Sequence, residues 1–189
     1  MALDLKQLLT DSGALLEGHF LLTSGRHSDR YIEKFRLLER PAALDAVAQA
    51  MAEGIDPAEV DVVLGAAIGG ILIAGAVARV LDRRIMFTER VDGRMTLRRG
   101  FELQPNDRVF VVEDIVSTGG SVKELLEVVR QAGALVMRVA CLVDRSPGGL
   151  EIAPPTKVLL RLPIASWPPG ECPKCREGTP LAQPGRSGK

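Results

Sequence analysis

The segment Val111–Ser121 constrains the fold of this chain more than any other. It begins with apolar, β-branched residues, which indicate a buried strand. The carboxylates Glu113 and Asp114, the hydroxyl pair Ser117–Thr118 and two glycines follow, and we place them in a turn. Residues Val122–Ala132 then have the periodicity of a helix. A buried strand, a glycine-rich turn and a helix in this order predict an α/β protein.

The composition of this turn is suited to a phosphorylated ligand. Free N–H groups and the dipole at a helix N-terminus favour a phosphate, and glycines let the backbone approach it closely. The acids before the turn can accept hydrogen bonds from sugar hydroxyls. An ordinary turn with a Ser or Thr helix cap is the structural alternative. It gains nothing from two adjacent carboxylates, which repel each other. No Lys follows the glycines as a Walker A loop requires, and the G-x-G-x-x-G dinucleotide pattern is absent.

Strands and helices alternate along the rest of the chain. Apolar runs predict strands at 19–23, 30–37, 61–64, 84–87, 109–112, 134–143 and 157–162, and helical spacing predicts helices at 3–9, 42–52 and 69–81. This alternation predicts a parallel sheet covered by helices on both faces, capped by the N-terminal helix and hairpin. We divide the chain into an N-terminal hood (1–40), an α/β core (41–165) and a Pro/Gly-rich tail (166–189).

Composition excludes several classes of protein. Of the 189 residues, 46% are hydrophobic and 4% aromatic, and the formal net charge is zero, so nothing indicates bulk attraction to nucleic acid or membranes. No apolar run reaches the length of a membrane span, and the first residues lack the pattern of a signal peptide. Three cysteines argue against a disulfide framework. We expect a soluble, cytoplasmic protein.

The segment Glu113–Ser121 resembles the phosphoribosyl-pyrophosphate (PRPP) signature of type I phosphoribosyltransferases. Ser24–Tyr31 is similar to a Ser-Gly-Arg-Lys-Ser-Pro-Tyr segment in one branch of that family, the orotate phosphoribosyltransferases, and Asp144-Arg145-Ser146 resembles that branch as well. The resemblance implies transfer of the 5-phosphoribosyl group from PRPP to orotate. The products would be orotidine 5′-monophosphate and pyrophosphate, in pyrimidine biosynthesis.

The resemblance also implies which residues bind PRPP. Glu113 and Asp114 would hold the ribose hydroxyls and favour the cationic ribose of the transition state. The remaining PRPP contacts are assigned to Ile115, Val116, Ser117, Thr118, Gly119, Gly120 and Ser121, and to the pyrophosphate turn at Gly65, Ala66 and Ala67. Ile68 replaces a Thr or Lys common in relatives, so only backbone contacts carry over to that turn. The structural alternative is that its small residues merely allow close helix–strand packing.

For orotate and the leaving group, the resemblance assigns a second set of residues. Arg26 and His27 would contact pyrophosphate, with His27 at the position of the family's Lys. Tyr31 would stack on the base, and the backbone near Ser117 would help to orient it. Arg145 would bind the orotate carboxylate, which a planar guanidinium matches in a bidentate manner. The alternatives are a polar surface turn at Ser24–Tyr31 and a solvent-facing Arg145.

The segment Thr88–Gly100 is polar and rich in arginine. In the family a mobile loop here, usually with a catalytic Lys and often a His, closes over the departing pyrophosphate. This segment has neither, and Arg90 and Arg94 are our candidates to neutralise the leaving group. Arg cannot donate a proton at neutral pH. The structural alternative is a solvated surface hairpin.

Two kinds of metal binding are considered, one with the substrate and one at the Cys pair of the tail. The family implies Mg²⁺ bound mainly through PRPP, so we expect no metal site made only of protein ligands. The motif Cys172-Pro-Lys-Cys175 is half of a zinc site, and no other Cys or His pair has the spacing to complete it. We therefore interpret it as a free-thiol motif of the tail, which also occurs in one branch of the family. A metal completed across a dimer is the alternative.

The family implies a homodimer in which the mobile loop reaches the neighbouring site, and no nucleic-acid or membrane partner. Two other functions stay open. One is a type I phosphoribosyltransferase for a purine or uracil acceptor, against which Arg145 argues. The other is a PRPP-sensing regulator that binds nucleic acid, against which the zero net charge and the short chain argue.

Overall fold

The computed structural model describes residues 3–184. Its helices are α1 (Leu5–Asp11), α2 (Phe35–Leu38), α3 (Pro41–Ala52), α4 (Gly69–Leu81), α5 (Gly120–Gln131) and α6 (Pro173–Arg176). Its strands are β1 (Leu15–Leu21), β2 (His27–Ile32), β3 (Val62–Ala66), β4 (Arg84–Val91), β5 (Arg94–Leu97), β6 (Arg108–Val116), β7 (Leu135–Asp144) and β8 (Thr156–Arg161). Short 3₁₀ turns lie at Pro57–Glu59 and Pro169–Glu171.

A six-stranded sheet in the order β5-β4-β3-β6-β7-β8 forms the centre of the molecule. All neighbours are parallel except β5, which pairs antiparallel with β4 at one edge. Side chains of a strand point alternately to the two faces. Phe110 and Val112 of β6 therefore join the core with α3 and α4, whereas Val109 and Val111 join the core with α5. The predicted α/β sheet, covered on both faces, is confirmed.

The parallel arrangement brings the carboxyl ends of β3, β6 and β7 to one edge of the sheet. Gly65 is in register with Val112, and Val116 is in register with Asp144. Beyond these ends lie the turns into α4 and α5 and the loop after β7. Binding sites of such folds form at this edge.

Two predicted turns are extended strand instead. Glu113 and Asp114 lie within β6, which continues to Val116 because Glu113 and Ile115 still pair with β7. The segment Thr88–Gly100 was expected as a mobile loop with a surface hairpin as the alternative, and it is mostly the hairpin of β4 and β5, with Asp92 and Gly93 at the turn. Consecutive cross-strand pairs, from Thr88 with Leu97 to Val91 with Arg94, form where the loop was expected.

The hood consists of α1, the antiparallel β1–β2 hairpin and α2. The strand predicted at 30–37 is wrong in its second half, because Phe35–Leu38 is helical. Leu37 and Leu38 are buried there in the core cluster that also contains residues of α3. The first predicted strand, 19–23, begins earlier, at Leu15.

The tail wraps around the hood hairpin. Trp167 exchanges two backbone hydrogen bonds with His27, each of 2.8 Å. Ala182 accepts from the Leu21 amide at 2.9 Å and donates to the His19 carbonyl at 2.8 Å. The tail thus flanks both strands of the hairpin. Within residues 3–184, no helix combines the length and apolar character needed to cross a membrane.

Candidate active site

A cavity of about 700 Å³ lies between the hood and the carboxyl ends of the central strands. Its core wall is formed by Asp114, Ile115 and Arg145. Its hood wall and the adjoining tail are formed by Leu21, Leu22, Thr23, Tyr31, Ile32, Glu33, Lys34, Phe35, Gln183 and Pro184. Of the residues predicted for catalysis or substrate binding, the structure brings Asp114, Ile115, Tyr31 and Arg145 to this one cavity.

Asp114 is held in the core wall by a lysine that the sequence analysis did not identify. The Lys34 Nζ atom lies 2.5 Å from Asp114 Oδ2, and Asp114 is 5% exposed. The amide of Ile115 donates to Asp114 Oδ1 at 2.5 Å. A Cβ atom at Gly69 would lie only 1.9 Å from Asp114 Oδ2, so the first residue of α4 must be glycine for this carboxylate to fit. The carboxylate is thus positioned before any ligand binds.

Glu113 differs from its neighbour in its surroundings. It is 5% exposed, its Oε1 accepts from the Asp114 amide at 3.2 Å, and its buried Oε2 has no hydrogen-bond partner within residues 3–184. Burial, followed by the charge of Asp114, raises the pKa of Glu113 to about 8. The two carboxylates are therefore not equivalent: burial favours the neutral form of Glu113, whereas Asp114 is paired with Lys34.

Arg145 and Tyr31 face the cavity from opposite walls. The Arg145 Nε atom is buried without a hydrogen-bond partner in the described chain, which is costly for a charged group. Burial lowers the pKa of Arg145 from its usual value, but a guanidinium still keeps its proton at neutral pH. Burial and the charge of Glu33 raise the pKa of Tyr31, so its phenol is neutral. An aromatic ring and a partly buried guanidinium with an unpaired Nε thus face a ligand-sized space.

The backbone around Arg145 is fixed by Asp144. Asp144 is 1% exposed and accepts hydrogen bonds from the amide and hydroxyl of Ser146, at 2.9 and 2.5 Å, and from the Leu150 amide at 2.8 Å. Burial by itself would raise the pKa of Asp144, but these hydrogen bonds outweigh it and lower the pKa. The Arg145 amide donates to the Val116 carbonyl at 2.9 Å, which ties the loop to the end of β6.

The turn after β6 has the features of an anion site. Gly119 adopts φ 77°, which a residue with a side chain rarely adopts, and α5 begins directly after it. Within residues 3–184, the amides of Ser117, Thr118 and Gly119 donate no backbone hydrogen bond. The hydroxyls of Ser117, Thr118 and Ser121 are also without a hydrogen bond there. These donors therefore stand open at a helix N-terminus.

The turn after β3 is built on close backbone contact. A Cβ atom at Gly65 would lie 2.4 Å from the Gly70 carbonyl oxygen, so Gly65 cannot be replaced without moving α4. The Ala67 amide donates to the Thr88 carbonyl at 2.8 Å, and the Ala67–Ile68 peptide bond is cis. Ile68 is 71% exposed. The close packing considered from the sequence is present, and a pyrophosphate contact stays a prediction.

Arg26 and His27 are placed away from the cavity. The Arg26 guanidinium donates to the hydroxyl and carbonyl oxygens of Ser166, at 2.9 and 2.5 Å. His27 is 6% exposed, and its Nδ1 lies 2.9 Å from His19 Nε2. Both side chains contact the tail or the interior of the hood in this structure, and neither lines the cavity. Their predicted contact with pyrophosphate would require the hood to rearrange.

The two arginines of the β4–β5 hairpin also lie outside the cavity. Arg90 forms an ion pair with Glu124 of α5 at 2.9 Å, and Glu124 also accepts from the Met95 amide at 3.3 Å. Arg94 is exposed and has no ion pair among the described residues. Arg90 therefore fastens the hairpin to α5, and Arg94 is the freer cation.

Sequence patterns did not reveal Lys34, Thr23 or Gln183 as cavity residues. Lys34 lies two residues after β2, in a stretch interpreted as strand, where a lone Lys has no distinguishing spacing. Gln183 belongs to the tail, whose path depends on long-range contacts. The position of this Lys would have indicated a cavity residue only if the hood were already known to lie over the signature turn.

Comparison with known proteins agrees with this geometry. Residues 36–170 match the family model described as the phosphoribosyl transferase domain. The chain is 44% identical over 184 residues to orotate phosphoribosyltransferase of Thermotoga maritima, covering 97% of this chain and 98% of that protein. It is 47% identical over 182 residues to the enzyme of that name from Heliobacterium modesticaldum, covering 94% of each.

Solved structures give the same result. Orotate phosphoribosyltransferase from Aeropyrum pernix superposes with a TM-score of 0.67 at 30% identity, covering 83% of this chain and 93% of that one. An adenine phosphoribosyltransferase superposes with a TM-score of 0.65 at 16% identity over 82% of this chain and 99% of that one, which shows the shared fold alone. With near-full-length similarity to the enzymes and the signature turn beside Arg145, the chain belongs to the orotate phosphoribosyltransferase family.

Proposed function

We propose that the protein transfers the 5-phosphoribosyl group of PRPP to orotate, giving orotidine 5′-monophosphate and pyrophosphate. The observation that carries this proposal is the buried, unpaired Arg145 Nε in the same cavity as Asp114. A carboxylate ligand would supply the missing partner of the guanidinium, and orotate carries one where uracil and adenine do not. Membership in the family supports the same substrate pair.

The proposed chemistry begins with cleavage of the bond between C1 of the ribose and pyrophosphate. Positive charge develops on the ribose and negative charge on the leaving group. Asp114, already oriented by Lys34, would accept hydrogen bonds from the ribose hydroxyls and stabilise the cation electrostatically. Glu113 would form hydrogen bonds to the ribose hydroxyls beside Asp114. Because burial raises its pKa, the Glu113 carboxyl favours its protonated form before the substrate binds.

The open donors of the turn Ser117–Ser121 would bind the 5′-phosphate. Their position at the N-terminus of α5 places the dipole of a helix of 12 residues behind the anion. Tyr31 and Arg145 would then hold orotate with its ring nitrogen facing C1. Fixing both reactants at adjacent strand ends converts the reaction into an effectively intramolecular one.

Mg²⁺ would enter with PRPP and neutralise the charge of the departing pyrophosphate. The residues present fit this mode of binding. The structure places Asp114 at the cavity, paired with Lys34, and within residues 3–184 no cluster of three or more potential metal ligands forms at these strand ends. A cation here would depend on oxygens of the substrate, which is how Mg²⁺ is commonly bound.

A homodimer is part of the proposal. Leu72 and Val80 lie eight residues apart on α4 and are 41% and 42% exposed, which gives one helix face two apolar side chains in contact with water. Burial against a second copy would remove them from solvent. Arg94 would then be available to the neighbouring site. Sedimentation equilibrium tests this: an active monomer would contradict it.

A cytoplasmic location stays a prediction.

The direct test is loss of orotate absorbance with purified protein, PRPP and Mg²⁺, with uracil and adenine as parallel acceptors. Turnover of orotate alone is the expected result. Turnover of uracil or adenine in its place would overturn the assignment of the acceptor. PRPP binding without turnover of any base would favour the regulator that the sequence left open.

A further inference from the structure

Four side chains that the proposed reaction does not use meet inside the hood. His19 of β1 and His27 of β2 face Cys172 and Cys175 of the tail, and the ligand-capable atoms of all four lie within 4.8 Å of one another. His19, His27 and Cys172 are 3%, 6% and 0% exposed. Within the described chain this is the group of His, Cys, Asp and Glu residues arranged to hold a metal ion.

The distances match tetrahedral coordination. A zinc ion with bonds of about 2.3 Å to sulfur and about 2.0–2.1 Å to nitrogen separates its ligand atoms by roughly 3.3–3.8 Å. Cys172 Sγ lies 3.5 Å from His19 Nε2, and Cys175 Sγ lies 3.7 Å from His19 Nε2 and 3.3 Å from His27 Nδ1. The two histidine nitrogens are 2.9 Å apart, so seating the ion needs them to separate by a few tenths of an ångström.

A hydrogen bond behind the cluster selects the binding form of His19. His19 Nδ1 lies 2.8 Å from the Thr179 carbonyl oxygen, which can only accept. The proton must therefore be on Nδ1, and Nε2 presents a lone pair to the two thiols. Metal-binding histidines are commonly oriented by such a carbonyl contact. Thr179 belongs to the same turn as the cysteines, because its amide donates to the Lys174 carbonyl at 3.0 Å.

We propose that His19, His27, Cys172 and Cys175 bind one zinc ion that fastens the tail to the hood. Two neutral imidazoles and two thiolates neutralise the charge of Zn²⁺, so the filled site carries no net charge beside the buried His19, His27 and Cys172, while Cys175 forms its exposed side. Binding releases the two thiol protons to solvent and breaks no other bond. Four protein ligands leave no open position, which makes the site structural and not catalytic. It is separate from the Mg²⁺ expected with PRPP.

The place of the site explains what the ion would stabilise. The tail otherwise contacts the hairpin through backbone pairs at Trp167 and Ala182 and through the Arg26 contacts to Ser166. Gln183 and Pro184, which directly follow Ala182, line the proposed substrate cavity. A metal between these contacts would hold the cavity wall without entering the cavity.

The test begins with metal content. Protein expressed with added zinc and passed through a desalting column should retain one zinc ion per chain by mass spectrometry of the metal. The double variant Cys172→Ser with Cys175→Ser should retain almost none. The matched control is Cys141→Ala, which removes the third, buried cysteine in β7 and should retain the full amount. Equal zinc in all three proteins, or none in the unmodified one, would overturn the proposal.

Cobalt provides a readout that does not depend on folding of the variants. Unmodified protein stripped of metal and titrated with Co²⁺ should develop the visible bands of tetrahedral cobalt and the sulfur-to-metal charge-transfer band, with an end point at one equivalent. Octahedral bands without the charge-transfer band would contradict a Cys₂His₂ site.

Stripped protein should also be cleaved by trypsin in the tail, at Lys174 or Arg176, at least tenfold faster than the zinc form. Equal cleavage rates would refute the fastening role. None of these measurements requires orotate turnover, so the zinc site and the proposed reaction can fail independently.

Discussion

The two walls of the cavity are held in place by different kinds of contact. The core wall is built at the ends of parallel strands whose buried residues pair in register, such as Val116 with Asp144. The hood wall is a two-stranded hairpin, β1–β2, that relies on the tail for partners on its flanks. Isolated hairpins are marginally stable in water. We conclude that the core wall is rigid by its packing, whereas the hood wall depends on long-range contacts from residues 165–184.

This difference assigns different tasks to the two walls. Rigid strand ends can hold charged groups in fixed geometry, as Asp114 and Arg145 are held. A wall fastened at a few points can open for a ligand and close behind it. Substitutions in the core wall should therefore affect the chemistry strongly, and substitutions in the hood wall should affect binding more weakly.

Replacement of Arg145 by Ala should have the largest effect on activity. It removes the partly buried cation proposed to bind the substrate carboxylate, and losing one partner of such a pair costs about 2–4 kcal/mol, so kcat/KM for orotate should fall roughly 30- to 1,000-fold. PRPP binding should change less than twofold. The matched control is Arg138→Ala, at an exposed position near the start of the same strand. Equal losses in both variants would contradict specific recognition by the core wall.

Glu113→Gln should change how stability depends on pH. The folded pKa of Glu113, about 8, lies above its value in the unfolded chain, so the folded state binds more protons between about pH 4.5 and 8. The stability associated with neutral Glu113 is therefore fully present below that window and is lost as pH rises through it. From pH 5 to 8, unmodified protein should lose roughly 2–4 kcal/mol relative to the variant, measured by urea unfolding without ligand.

The control for Glu113 is Glu102→Gln, which changes an exposed carboxyl group. Its unfolding free energy should follow that of unmodified protein across the same pH range. Parallel curves for all three proteins would show that burial of Glu113 does not hold a proton in the empty site. The rigid environment assigned to the core wall would then be wrong at this residue.

Gly69→Ala tests whether the core wall tolerates a shift of Asp114. The new Cβ would lie 1.9 Å from Asp114 Oδ2 and 2.9 Å from Lys34 Cε, and overpacking of this kind costs about 1–3 kcal/mol. Gly75→Ala, in the same helix, meets only Ile85 Cδ1 at 3.4 Å and should be neutral or slightly stabilising. Thermal unfolding and the KM for PRPP measure both effects. A Gly69 variant that matches the Gly75 variant in both would mean that this carboxylate can move freely.

Tyr31→Ala should show the weaker dependence on the hood wall. Loss of the aromatic face removes about 1 kcal/mol of stacking, so KM for orotate should rise roughly fivefold with kcat changed less than twofold. Tyr31→Phe keeps the ring and should behave as unmodified protein. A kcat loss as large as that of the Arg145 variant would remove the distinction between the two walls.

Arg90→Ala should have the smallest effect on stability and activity. Its ion pair with Glu124 is exposed to solvent, and such pairs contribute about 0.2–1 kcal/mol. Glu124→Gln should lower the unfolding free energy by a similar amount if Arg90 acts only to fasten the hairpin. A much larger loss of kcat for Arg90→Ala than for Glu124→Gln would restore the catalytic role expected from the sequence.

Much of the core could be predicted from the sequence because its signals are local. The helix predicted at 69–81 agrees with α4, and the strand–turn–helix around Ser117–Gly120 is present. The position of Glu113 and Asp114 inside β6 could not be predicted, because a strand ends where its partner stops pairing. The β4–β5 hairpin was expected as a mobile loop by resemblance, and the surface hairpin that the sequence left open as the alternative is what forms.

The hood and tail show the opposite behaviour. The two cysteines were interpreted as a free-thiol motif because no other Cys or His pair has the spacing to complete a zinc site, yet His19 and Cys172 are 153 positions apart and in contact. Arg26 and His27 were assigned to pyrophosphate by resemblance; that assignment stays a prediction, and in this structure their side chains contact the tail. No pattern in the sequence indicated that Lys34 lines the cavity. Each of these outcomes depends on where one segment lies against another.

The sequence by itself determined the α/β class, the strand–turn–helix of the signature and the candidate carboxylate-binding arginine. The class and the turn follow from periodicity and glycine placement within short stretches of chain, where neighbours in sequence are neighbours in space, and the role of the arginine was implied by the resemblance. Only the tertiary structure decided that Lys34 pairs with Asp114, that Glu113 is buried without a partner and that four ligands from the hood and the tail meet. Such contacts form between segments that many residues separate. They are chosen by the packing of the whole chain, which local patterns do not encode.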